Sequence, residues 1–197
     1  MRKFNIRQQI GKLYLLTSVG YFQIAGASWV ALLAMRGFSL LEIGMLESIF
    51  HIVSCIFEIP SGVAADVFGR KKTMVMSQLA SLLSSVMMVW SEGFWATAFA
   101  IGFSALSYNL ASGTREALAY DSLKLVGKEN EYNTFAATDM MLYRITNSTS
   151  TLCAGLALFL GFRKAYTADI LFTLIALFIA CSLKEVEIGT KTDEKKV

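Results

Sequence analysis

The sequence predicts an all-α integral membrane protein with six transmembrane helices and both termini in the cytoplasm. Three observations carry this reading. Hydrophobic residues make up 55% of the 197 residues, well above an ordinary soluble domain. They gather into six windows, each close to the roughly 20 mostly apolar residues that a spanning helix needs. Lysine and arginine, in turn, crowd into alternate connections between those windows. Closed barrels are the other structure a bilayer admits, but these runs are too long and lack strict alternation. A single proline and few turn clusters argue against disorder and against an all-β chain.

The windows follow in order. The first, 13–35, comes after a basic start. That start, the apolar run and Ala25-Gly26-Ala27 also fit a cleaved signal peptide. Apolar character continues through Trp29 to Met35, however, which favours an uncleaved span. The second window, 41–64, holds the lone proline, Pro60, which is expected to bend it and, with Ser61-Gly62, to ease rocking. The third and fourth lie at 73–91 and 94–114, and a charged stretch over 115–137 separates them from the fifth at 138–160. The sixth occupies 165–183, and a polar tail, 184–197, follows it. Short connections make successive helices antiparallel neighbours. Trp29, Trp90 and Trp95 fall near the expected external ends, as an interfacial aromatic belt requires.

Direction comes from the cations. A cytoplasmic N-terminus places Arg2, Lys3, Arg7, Lys12, Arg70, Lys71, Lys72, Arg115, Lys124, Lys128, Lys184, Lys191, Lys195 and Lys196 inside. Only Arg36, Arg163 and Lys164 then lie outside. Positive charge stays in the cytoplasm, so both termini are expected there.

Several function classes lack support. Neither half has a basic face with interleaved aromatics, so no nucleic-acid partner is expected. Cys55, Cys153 and Cys181 sit inside apolar runs with no CxxC spacing and read as small buried hydrophobes. His51 is the lone histidine, which excludes most histidine-based metal sites, and no metal or cofactor is expected. The paired groups of an intramembrane enzyme are missing, as is any phosphate-cradling loop, so energy from an ion gradient is expected rather than from ATP.

Residues 58–72, Glu-Ile-Pro-Ser-Gly-Val-Ala-Ala-Asp-Val-Phe-Gly-Arg-Lys-Lys, are the most informative stretch. They resemble the signature loop between the second and third helices of the major facilitator superfamily of secondary transporters. The match falls at Gly62, Asp66, Gly69, Arg70 and Lys71 and departs at Val67, where the family usually has a cation. Arg36-Gly37-Phe38-Ser39-Leu40 and the stretch from Ser112 to Leu123 also look like bacterial members. The resemblance implies six helices arranged as two inverted three-helix repeats, forming the first half of a twelve-helix fold with substrate near the midplane between halves. It further implies a multi-pass protein of the bacterial plasma membrane. Asp66 and Arg70 would form a cytoplasmic latch, the Asp capping a helix of the other half, an interaction of typically 0.3–1 kcal/mol and weak enough to open.

Two family patterns are absent. The fourth window lacks Arg-x-x-x-Gly, since Arg115 comes late and has Ala119 four residues on. The fifth lacks Gly-x-x-x-Gly-Pro-x-x-Gly-Gly, having only Gly155. Drug–proton antiport is therefore not implied by pattern.

Ionisable and polar residues inside the windows are the candidates for function. At about 100° per residue, Glu47, His51, Ser54 and Glu58 share one face of the second helix within about 60° of arc. An unpaired charge at the bilayer centre costs roughly 2.5–3.5 kcal/mol, so this stripe is expected either to face a central cavity and couple protons or solute, or to sit hydrated at the two interfaces. Glu58 is placed to pair with Arg115 or Arg144 as a gate. Arg144, five residues after Asp139, is a cavity or ion-pair candidate, and Asn109 dots the fourth window. The run Thr146 to Thr151 bonds between helices or lines a wet cavity.

A lone six-helix half leaves its cavity face against lipid, so a second half is an expected partner. The chain is then a truncated product, a homodimerising half, or a half paired with a separate chain. The expected function is ion-gradient-driven secondary transport of a small solute or efflux of a drug, with protons a candidate coupling ion; the alternative is a non-transporting membrane scaffold or remnant that only associates with another membrane protein.

Overall fold

The computed structural model describes residues 4–186, so the tail beyond Val186 and the cations within it lie outside the described residues. All regular structure among these is helical. The helices are α1 (Ile6–Gly20), α2 (Trp29–Met35), α3 (Leu40–Phe68), α4 (Arg70–Trp90), α5 (Gly93–Ala111), α6 (Thr114–Lys124), α7 (Tyr132–Leu152), α8 (Ala154–Leu160) and α9 (Phe162–Ser182). Three of them, α3, α4 and α9, are long and apolar enough to cross a membrane.

Two windows hold a pair of helices rather than one. In 13–35, α1 stops at Tyr21 and helix resumes through a 3-10 turn, Gly26–Ser28, into α2. In 138–160, α7 gives way to α8 at Cys153. Both breaks have identifiable causes. The first lies between Gly20 and Gly26, where backbone N–H groups bond to Ser150 of α7 and Asp169 of α9 instead of continuing a helix. The second follows the hydroxyl-rich run, where Thr149 and Thr151 bond back to Ile145 O and Asn147 O and compete with the backbone ladder. Pro60 lies within α3, which continues through it.

The expected loop around residues 65–72 contracts to one residue. Helix α3 runs to Phe68, α4 starts at Arg70, and only Gly69 joins them. Its φ of +95° is a backbone region that favours glycine. Asp66 thus ends one helix while Arg70 and Lys71 begin the next.

The bundle holds two apolar clusters. One gathers Leu32, Leu33, Leu46, Met88, Ala100 and Ala165. The other gathers Leu13, Leu16, Met74, Leu118, Phe135 and Ala180 at the basic end. Along α1, α4, α7 and α9 the buried polar residues Thr17, Ser77, Ser84, Asp139, Ser150 and Asp169 fall between these clusters. Hydroxyls stitch α4 to α5: Ser77 donates to Ser107 O at 2.9 Å and Ser84 to Ala100 O at 2.7 Å. The two ends of the bundle's chain meet, with Gln9 Nε2 donating to Lys184 O at 2.9 Å and Lys184 N returning a bond to Gln9 Oε1 at 3.1 Å.

Candidate functional site

The polar layer is built around a buried ion pair. Arg115, in the first turn of α6, places Nε 3.2 Å from Oδ2 of Asp139 on α7, and the two side chains are only 13% and 7% exposed. Thr17 of α1 donates to Asp139 Oδ1 at 2.5 Å. Both carboxylate oxygens therefore have a partner. The guanidinium lies 5.3 Å from the ring centre of Tyr21, and that ring meets Tyr143 edge-on at 4.7 Å. The Arg115–Asp139 contact lacks hydrogen-bond alignment, and the buried Nε–H has no acceptor. The pair borders a cavity of about 330 Å³ that Tyr108, Ser112, Tyr132 and Met140 also line. An ion pair left one hydrogen bond short beside open space is held less tightly than a fully satisfied one.

Of the residues expected on one face of the second helix, Glu47, His51 and Glu58 are exposed. His51 Nε2 lies 3.3 Å from Glu47 Oε1, with the side chains 70% and 50% exposed. Ser54 turns inward, donating to Asn109 Oδ1 at 2.9 Å while Asn109 Nδ2 donates to Ser54 O at 2.7 Å. Asn109 is thus a clip between α3 and α5. Arg115 meets Asp139 rather than the expected Glu58. Arg144 is exposed on α7 with its guanidinium 5.6 Å from the Tyr143 ring.

The signature residues form a second charge cluster at the basic end. Arg70 Nε is 2.5 Å from Asp121 Oδ2 of α6, while Asp66 lies 3.8 Å away and is largely exposed. Glu185 accepts the Lys71 backbone N–H with both carboxylate oxygens, each at 3.1 Å. A Cβ on Gly69 would come 2.7 Å from Glu185 Oε2, so a carboxylate and the positive φ both call for glycine there. At Gly62 a Cβ would meet nothing within 4 Å; within this chain nothing explains that glycine.

A third polar cluster lies where the breaks between α1 and α2 and between α7 and α8 approach each other. Asp169 of α9 accepts the backbone N–H groups of Ile24, Ala25 and Gly26 at 2.6, 3.0 and 3.1 Å. Gln23 N donates to Ser150 Oγ at 3.1 Å, and the same hydroxyl donates to Gln23 O. A cavity of about 240 Å³ opens beside Asp169, with Gln23, Glu47, Ser81 and Ser104 on its walls. The importance of Asp139, Asp169 and Glu185 does not follow from any motif. For the two aspartates a usable signal was present, since each is a carboxylate inside an apolar window; for Glu185 none was.

Apolar helices of membrane-crossing length around a layer of buried charge define a polytopic membrane protein with a polar interior. The sequence model of the Major Facilitator Superfamily matches residues 13–196. The chain belongs to this superfamily, whose members are transporters. It is also similar to the uncharacterized MFS-type transporter YxaM of Bacillus subtilis (strain 168), 32% identical over 88 residues that make up 45% of this chain and 22% of that protein. The match thus spans less than a quarter of the relative.

Proposed function

We propose that this chain is a six-span half of an ion-gradient-driven secondary transporter for a small solute, with both termini cytoplasmic and a second six-span half as its partner. The observation that carries the reading is the buried Arg115–Asp139 pair beside a cavity. Such a pair is costly in a bilayer and is useful where a proton or solute can compete for one member. Breaks in α1–α2 and α7–α8 fit the same reading, because irregular backbone at membrane depth is tolerated where it is buried in protein or lines a cavity. The Arg70–Asp121 pair, with Asp66 on the exposed side, leaves Asp66 available to a partner as a latch. The exposed stripe of Glu47, His51 and Glu58 lies on a helix whose best apolar window is only 11% buried, which suits a face covered by the second half.

The test is proton flux in liposomes that enclose a pH-sensitive dye, with an imposed gradient and a panel of sugars, amino acids and organic cations. Solute-dependent flux that Asp139→Asn abolishes is the expected result. No flux from the chain alone or with a second half supplied would overturn it. The same open face of α3 favours one other reading, a membrane scaffold that associates without transporting, and that negative result would select it.

A further inference from the structure

We propose that Asp169 is a positioning residue: its carboxylate holds the break in the first span and thereby sets Tyr21 against Arg115. Where the break is held, its amides have lost their helical partners. Ile24, Ala25 and Gly26 direct three successive N–H groups at one carboxylate, at 2.6 to 3.1 Å. Asp169 itself is only 3% exposed. In a bilayer, backbone N–H groups without an acceptor are costly, so removing this carboxylate leaves three amides unpaired and frees the segment to move. Tyr21 closes α1 just before that segment. Release of that segment would displace its ring from Arg115 and Tyr143, which it meets at 5.3 and 4.7 Å.

Asp169 is not committed elsewhere. The cavity beside it is lined by Glu47, Tyr166, Gln23 and serines, with no lysine or arginine among its walls. A carboxylate buried in a span with no cation beside it is explained by what it does hold, the three amides. Ser150 grips only Gln23, so α7 fixes one residue of the break and α9 the next three.

The inference rests on the Arg115–Asp139 cavity being the working site, but its test needs no transported solute. Hydrogen exchange is followed by mass spectrometry on the full chain in nanodiscs, for wild type, Asp169→Asn, Asp169→Glu and Ser150→Ala. In Asp169→Asn, peptides covering residues 22–28 are expected to exchange at least about tenfold faster, because charge-assisted bonds are lost. Peptides around Asp139 and Tyr143 should follow by at least about threefold. Asp169→Glu, which keeps the charge, should lie nearer wild type. Unchanged exchange at 22–28, or a change confined to 22–28, would overturn the proposal, as would equal loss in the Asn and Glu variants. If Asp169→Asn loses protection throughout the bundle, Ser150→Ala decides. The amides of residues 24–26 must then stay protected, and fast exchange there would refute the hold by Asp169. Absent transport alongside intact exchange coupling would instead count against the transporter reading alone.

Discussion

Replacing Asp139 by alanine should destabilise this protein more than almost any other single polar substitution, and the size of the effect can be worked from its surroundings. The change removes the acceptor for Thr17 and leaves the Arg115 guanidinium, 13% exposed, without its 3.2 Å partner. Stranding one member of a buried pair costs about 3–5 kcal/mol. Losing the Thr17 bond alone, as in Thr17→Val, should cost about 0.6–1.7 kcal/mol by comparison with hydrogen bonds inside other membrane proteins. At 2–4 °C per kcal/mol for a chain of this size, Asp139→Ala should lower the melting temperature by about 6–20 °C. The assay is the fraction of monodisperse protein left after heating in detergent, across a series of temperatures. The double variant Arg115→Leu with Asp139→Leu is the control, because removing both charges together is often neutral or stabilising. It should therefore be more stable than Asp139→Ala. If instead the losses of Arg115→Leu and Asp139→Leu, each measured alone, add up to that of the double variant within about 0.5 kcal/mol, the two charges do not interact and the ion pair is refuted.

Other predictions use the same heating assay or simple labelling. Gly69→Ala should destabilise by roughly 1–2 kcal/mol for the positive φ and by more for the clash with Glu185, so adding Glu185→Ala should restore only part of the loss. Ser54→Ala and Asn109→Leu should each cost about 0.6–1.7 kcal/mol and, because both act on one α3–α5 clip, should be strongly non-additive; simple addition would overturn the clip. Impermeant maleimide applied to intact cells should label Lys164→Cys and spare Lys72→Cys in a background without native cysteines; labelling of the reverse pattern would overturn the direction assigned to the chain.

Much of this fold is legible in the sequence because lipid imposes simple demands. The windows at 41–64, 73–91, 94–114 and 165–183 lie within or close to α3, α4, α5 and α9 because long apolar runs in a bilayer have little alternative to helix. The break at residues 21–28 is not legible. It depends on acceptors and donors that arrive from remote helices: Asp169 is about 145 residues from Ile24, and Ser150 is 127 from Gln23. The candidate site divides the same way. Arg70 and Gly69 are marked by local spacing, whereas the partners Asp121 and Glu185 are supplied by tertiary contact. Periodicity places Glu47 beside His51, which meet at 3.3 Å, yet it cannot say whether a shared face looks inward or outward.

The closure between Gln9 and Lys184 sets a timetable for synthesis. These residues are 175 apart in sequence, and ribosomes add roughly 5–20 residues per second, so the first span waits about 9–35 s for its neighbour. Asp169 arrives almost as late. Until then the amides of residues 24–26 have no carboxylate to meet, so nothing holds the break after α1 in its final place. That break is accordingly fixed by α9, the last of the described helices. The mature arrangement of residues 21–28 is therefore set late, by a helix made long after the segment itself.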